Sequence, residues 1–198
     1  MKYLLLALAI GFTAMACRDR NEPQDQLPPI TQHGANTAGC IINGQIIIPK
    51  NGMGTIPGSG IAYGLRTVID RDPNLPQKIL SLKMRISNIQ KKNDYSFFMH
   101  LDTIEIPKTY YTMSIKECNP VCIIEIPYVY VTKFNDKGKA EKFYYSDKNS
   151  CKITLTKVDL QSGIISGTFL GEVYNEQNKN DKVSITDGRF DINIGTVK

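Results

Sequence analysis

The chain has no tryptophan, two histidines among 198 residues, and no apolar run long enough to cross a bilayer. Each shortage narrows the function. A membrane-spanning helix takes about 20 apolar residues, and the apolar run from Leu4 to Phe12 falls well short. Nucleophilic catalysis needs a base beside the nucleophile. Here His33 stands in a polar, proline-broken stretch and His100 stands alone between Met99 and Leu101. The Gly-x-Ser-x-Gly elbow of the hydrolases is missing as well, so Ser166 and Thr168, which flank Gly167, read as outward-facing strand residues. Paired carboxylates can cleave glycosides without histidine. Asp102, Glu105 and Glu125 show no spacing that marks such a pair and read as keeping an outer face soluble. The chain is therefore expected not to be an enzyme, with a hydrolase as the weakest alternative.

Clustered positive charge is scarce too. The formal charge is +5, but Lys91-Lys92 is the longest basic run. A nucleic-acid surface gathers its cations on one face with aromatics between them; interspersed lysines read as a solvated exterior, and no nucleic-acid partner is expected. Metal-ligand patterns are incomplete. Asp70-Arg71-Asp72-Pro73-Asn74 offers oxygens at alternate positions, yet Leu75-Pro76 replaces the glycine turn of a calcium loop and no glutamate stands at the twelfth position. Zinc would want two close cysteine pairs or a nearby histidine. No metal and no cofactor are expected.

What the chain does have begins at its start. Lys2, a short apolar run and small residues before Cys17 describe a secretory leader. Ala14-x-Ala16 suits ordinary cleavage, which would release a soluble protein, whereas Ala16-Cys17 suits cleavage at a cysteine that carries lipid. Cysteine parity separates the two. Of five cysteines, lipidating Cys17 leaves an even four, Cys40, Cys118, Cys122 and Cys151, as an exported chain with paired thiols would have. Ala14 stands where such motifs usually carry leucine. Acyl chains at ~0.8 kcal/mol per buried methylene would hold the protein to a membrane without any help from the folded part. Arg18, rather than aspartate, follows the cysteine, which favours the outer membrane in a Gram-negative cell. In an oxidising compartment the four remaining thiols are expected to pair. One arrangement closes Cys118 on Cys122 and Cys40 on Cys151; three pairings are open, and so is the alternative that some stay reduced as small buried residues.

The reading is then a leader over residues 1–16, a lipidated N-terminus and flexible, proline-broken tether over 17–38, and one β-domain over 39–198. Asn43-Gly44 between β-branched runs marks a hairpin. Leu80, Leu82, Met84 and Ile86 alternate with polar residues, and Tyr95, Phe97, Met99 and Leu101 do so after a Lys91-to-Asp94 turn, each set giving one dry face. Tyr128 to Thr132 and Phe143 to Tyr145 read as another hairpin around Asn135 to Gly138, and Ser162-Gly163 as a turn before the strand at Ile164. Gly167 and Gly171 within that strand suggest a bulge, a bend or a close approach of another backbone. The closing strands cover roughly residues 182–194. No stretch sustains a helical period, so the fold class is all-β: an antiparallel β-sandwich or a curled, barrel-like sheet.

Thr154-Leu155-Thr156-Lys157-Val158-Asp159, Ile164-Ile165-Ser166-Gly167-Thr168-Phe169 and Ile185-Thr186-Asp187-Gly188-Arg189-Phe190-Asp191 follow in order. Leu27 to Gln32, Gly34 to Thr37, Gly39-Cys40 and Asn43-Gly44 stand at the front. Together they resemble an uncharacterised family of Bacteroidota lipoproteins known only as a domain of unknown function. The resemblance implies an envelope lipoprotein with a compact β-domain, and no activity. Within these motifs Asp187-Gly188 reads as a turn, with Arg189 pairing with Asp187 or Asp191; a ligand site at Asp187 and Arg189 is the alternative.

The chain is thus expected to be a lipid-anchored envelope lipoprotein that acts as a non-enzymatic binding or structural module. A lipocalin-like carrier is the rival, its cavity lined by Leu82, Met84, Phe97 and Met99. Its partner beyond the membrane is a protein, a glycan or a small apolar ligand. Sugars stack best on tryptophan, which is absent, but ten tyrosines remain. Of these Tyr128, Tyr130, Tyr110-Tyr111 and Tyr144-Tyr145 lie on strands, where adjacent residues point to opposite faces.

Overall fold

Turn chemistry and strand alternation together build this fold. The computed structural model describes residues 25–53, 60–75, 78–92, 94–114 and 126–198. Residues 1–16, expected to be a leader, and Cys17, Cys118, Cys122 and Glu125 lie outside these residues. Asn43 and Gly44, with φ of 47° and 79°, turn β1 (Thr37–Ile42) back onto β2 (Gln45–Ile47). Both residues tolerate positive φ, which a two-residue hairpin requires. The turn is held from outside, where the Ser184 amide donates to Asn43 Oδ1 (2.9 Å).

After β2 come β3 (Gly52–Met53), β4 (Ile61–Ala62), β5 (Leu65–Arg71), β6 (Ile79–Ser87), β7 (Tyr95–Ile104) and β8 (Thr109–Tyr111). Then follow β9 (Tyr128–Phe134), β10 (Ala140–Tyr145), β11 (Cys151–Asp159), β12 (Ile164–Asn175) and β13 (Lys182–Asn193). β9 and β10 form the expected hairpin, whose turn is braced by Asn135 Oδ1 accepting from the Lys137 and Lys139 amides. Among the described residues there is no helix.

The strands form one eleven-stranded antiparallel sheet, ordered β2-β1-β13-β12-β10-β9-β7-β6-β5, with β3 and β4 as a separate pair. The sheet forks at β12. Residues 164–171 of β12 pair with β11, which carries β8, while Tyr174 and Asn175 pair with β10. It also curls. Lys50, just after β2 at one end, bonds Ser87 and Ile89 around the tip of β6 near the other end. Of the two expected architectures, this is the curled, barrel-like sheet.

One apolar core fills the concave side. Leu82, Met84, Phe97 and Met99 are all fully buried there, and Phe97 stacks on Phe169 with ring centroids 4.3 Å apart. Each such side chain contributes about 1.5–3 kcal/mol relative to exposure. The positions proposed to line a carrier's cavity are therefore packed with one another's side chains.

Local irregularities correct the sequence reading in four places. Leu80 is 41% exposed rather than on the dry face. β6 carries one extra residue between its partners Asp70 and Arg71, which shifts the alternation so that Ile79 turns inward instead. Asp187-Gly188 is no turn; it lies within β13, where Thr186 and Asp187 together face Leu170 of β12, and Asp187 and Gly188 together face Cys40 of β1. Such a bulge bends the strand, as a curled sheet requires. Ser166 is fully buried, although it stands on the convex side. Finally, Cys40 and Cys151 are free, buried thiols on strands separated by β13 and β12, so the Cys40–Cys151 bridge, one of the pairings left open, is not formed, and both stay reduced as small buried residues.

Candidate functional site

Two patches on the convex side of the sheet hold most of its directed polar chemistry. The first is covered by the chain itself. Asp191 on β13 faces Ser166 on β12 and is 1% exposed. Its carboxylate accepts from Ser166 Oγ (2.7 Å), Thr31 Oγ1 (2.7 Å) and the amides of His33 (3.1 Å), Gly34 (2.9 Å) and Ala35 (3.1 Å). Burial alone would raise its pKa, but these donors reverse the effect and hold the carboxyl far below the usual carboxylate range. Thr31 to Ala35, expected to be part of a flexible tether, are thereby laid down as a strap over β12 and β13.

Arg189 and Asp187 belong to the same patch. The Arg189 guanidinium donates to the Asp187 carbonyl (3.0 Å) and the Pro28 carbonyl (3.4 Å), and lies 3.7 Å from the Asp187 carboxylate. All three partners are internal, so the side chain clamps the strap to the bulge. Gly188 is required beside it, because a Cβ there would stand 2.3 Å from the Phe169 ring.

The second patch is open. Following the registers across the convex face, Arg66 opposes Arg85, Arg85 opposes Phe98, and Phe98 opposes Tyr130. Tyr130 then opposes Tyr145, Tyr145 opposes Tyr174, and Tyr174 opposes Lys182. This is one straight cross-strand row of four aromatic rings between cations. Phe98 and Tyr130 stack at 4.6 Å and 20°, and Tyr145 lies 6.0 Å from Tyr130 at 45°. Rings stacked this closely cover one another's faces, so they turn electropositive edges and phenol hydroxyls outward. Arg85 Nη2 reaches past Phe98 to the Tyr130 hydroxyl (3.4 Å). Burial raises the phenol pKa values of Tyr128, Tyr145 and Tyr174 and keeps these groups as O–H donors.

Beside the row, His100 packs against Tyr128 with ring centroids 5.1 Å apart and is 5% exposed. Neither ring nitrogen has a hydrogen-bond partner. Burial first, and then Lys83, lowers its pKa and keeps the imidazole neutral. Beyond Tyr145 and Tyr174 the surface dips into a cleft of about 210 Å³, lined also by Ser114, Asp147 and Lys179. An ion pair between Lys179 and Asp147 stands at this cleft.

The other singled-out residues have local partners. Asp70 accepts from Ser81 and Lys83, and Asp72 Oδ1 accepts from the Asn74 and Leu75 amides, so the suspected calcium loop is braced internally. Among the described residues no cluster of three metal-ligating side chains occurs. Burial pushes the Cys151 thiol up to about 11 and the Cys40 thiol higher still, leaving both protonated. The adjacent tyrosines divide as strand geometry requires: Tyr110 and Tyr144 are buried, whereas Tyr111 is exposed and Tyr145 half-exposed. The row itself escaped the sequence reading. Tyr128 and Tyr130 share a face by their spacing, but only the strand registers bring Phe98, Tyr145 and Tyr174 into line with them.

Residues 75–193, more than half of the chain, match a family profile described as a domain of unknown function, DUF5025. The stretch takes in the row from Arg85 to Lys182 and leaves Arg66 outside. No curated protein and no solved structure matches the chain.

Proposed function

The chain belongs to the DUF5025 family, and we propose that it is a lipid-anchored envelope protein whose β-domain is a non-enzymatic binding module. Its working surface is the open aromatic row. The observation that carries this reading is the contrast between that row and the rest of the molecule. The concave side is filled by its own side chains, and the convex side over Asp191 is roofed by the strap. Among the described residues, the row lines up four half-buried aromatic rings on neighbouring strands of the convex face. An extended ligand lying across the strands suits it better than a small apolar one held inside.

The chemistry of the titratable groups supports binding over catalysis. Asp191, the most strongly shifted carboxyl, is saturated with donors and has no proton to give, and the His100 nitrogens are shut away from the surface. Anchoring rests on the leader and Cys17, and placement in the outer membrane on Arg18. A lipid at Cys17 would leave residues 18–30 as the lead-in to the strap, which would fix how the domain leaves the membrane.

Two measurements test the proposal. The full-length chain, expressed with its leader in a Gram-negative host fed labelled palmitate, is expected to take up label that Cys17→Ala abolishes. Hydrogen exchange on the purified, lipidated protein, with and without an envelope polysaccharide preparation, is expected to show added protection across β6, β7, β9 and β10. Protection confined to the strap, or none anywhere, would sink the binding reading; an unlabelled chain would sink the anchor.

A further inference from the structure

The row ends on a pair that antiparallel sheets avoid. Arg66 and Arg85, both exposed, stand directly opposite each other on β5 and β6. Like charges in that relation destabilise the pairing. Other cations on or near this face have an acid at hand: Lys83 with Asp70 (3.2 Å), Lys142 with Asp181 (2.9 Å), Lys182 with Glu172 (2.8 Å). Among the described residues, neither arginine has a carboxylate within ion-pair distance. Among the described residues Arg85 has only the Tyr130 hydroxyl as a side-chain partner, and Arg66 has none. The charge is concentrated at one end of the aromatic row and left unneutralised.

We infer that the row binds an acidic oligosaccharide, with a uronate carboxylate seated on the Arg66–Arg85 pair and the sugar chain running across the strands toward Tyr174. This rests on the reading of the row as the binding face and adds the class of ligand. Guanidinium groups present fixed forks of donors that match a carboxylate two bonds at a time. The phenols of Tyr130, Tyr145 and Tyr174 add O–H donors for ring hydroxyls and carboxylates, and the ring edges are electropositive. From β6 to β12 the row crosses four strand spacings of ~4.8 Å, about 19 Å in all, which calls for a chain of sugars rather than one.

A single-stranded nucleic acid fits less well. It needs cations that follow its backbone and free ring faces on which bases can stack. Here Phe98 and Tyr130 cover each other's faces, and the cation at the far end, Lys182, is already held by Glu172.

The test titrates the full-length lipidated protein in detergent with oligogalacturonate, with oligoalginate and with the methyl ester of the first. Without tryptophan, the intrinsic fluorescence comes from ten tyrosines, and Tyr130, Tyr145 and Tyr174 of the row are among them. Both uronates are expected to bind, more weakly as salt rises, and the uncharged ester is not. Arg66→Gln, which removes a side chain with no internal contact, is expected to weaken binding about tenfold, as loss of a charge-assisted hydrogen bond does. Arg85→Gln should do the same or more. If the ester binds as well as the acid, or both arginine variants bind normally while Phe98→Leu does not, the acidic assignment is overturned and the row remains a binding face. If polyuridylate displaces the uronates, the ligand class is wrong. If no oligosaccharide perturbs the tyrosines, the inference is overturned outright, and the exchange experiment above decides separately on the row.

Discussion

The two convex patches share one sheet and treat polar groups in opposite ways. Over β12 and β13 the charged groups of the covered patch, Asp191 and Arg189, are answered from within the chain. Asp191 alone gathers five donors, and Arg189 has three internal partners. Over β6, β7, β9 and β10 the opposite holds. Two arginines face each other without an acid, and His100 is buried with both nitrogens unpartnered. Buried polar groups without partners cost stability, and evenly satisfied networks rigidify. The first patch is thus built to hold the strap, whereas the second carries costs that folding alone does not require.

The sharpest way to break this contrast is to empty the covered patch. Asp191→Ala would strand the Thr31 and Ser166 hydroxyls and three amides, and is expected to cost about 3 kcal/mol or more in chemical denaturation. The same carboxylate sets an acid limit. Its folded pKa lies below the unfolded value near ~3.9, so its contribution is complete above that value and is lost as pH falls further. Asp191→Asn is therefore expected to lose stability at neutral pH while flattening the acid slope. Limited proteolysis between Thr31 and Ala35 should rise in parallel. A variant whose strap stays protected would show that Asp191 is not its lock.

Gly188→Ala probes the same patch from beneath. The added methyl would meet the Phe169 ring and its carbonyl oxygen, at 2.3 and 2.4 Å. Overpacking of this kind costs about 1–3 kcal/mol, and the strain would pass through Phe169 to Phe97 in the core. A loss of about 2 kcal/mol by thermal or chemical denaturation is expected. An unchanged stability would mean that the bulge at Thr186 and Asp187 can relax, and that the clamp at Arg189 is softer than its contacts suggest.

How far the sequence carries this contrast depends on the range of each signal. Short-range chemistry was readable: Asn43-Gly44 as a hairpin turn, Leu82-Met84-Ile86 as an inward face, Tyr144 and Tyr145 as split between core and surface. Bulges were not. Leu80 obeys its strand's alternation in sequence and breaks it in space, because one extra residue in a pairing leaves no mark in composition. Asp187-Gly188 has turn chemistry and serves a bulge instead, since both settings want a residue that tolerates positive φ, which Asp187 adopts at 52°. The row and the Asp191 cradle were out of reach for another reason. Their members lie far apart in sequence, up to 160 residues for Thr31 and Asp191, and only strand order and register bring them together.

The smallest expected effect sharpens the open patch. His100 is charged in the unfolded chain below its ordinary pKa of ~6.5 and is held neutral in the fold by burial and by Lys83. The unfolded state then binds more protons, so stability falls as pH drops below about 6.5. This window lies above the one assigned to Asp191, and the two slopes can be separated in one titration. Asp70 and Asp102 act in the opposite sense and limit the shift. His100→Phe removes both the proton and the two unpartnered nitrogens while keeping a ring against Tyr128. It is expected to gain about 1 kcal/mol at neutral pH and to flatten the fall in stability below about pH 6.5. If the variant instead loses stability at neutral pH, the histidine has a partner in solution, and the open patch is better satisfied than the contrast with Asp191 implies.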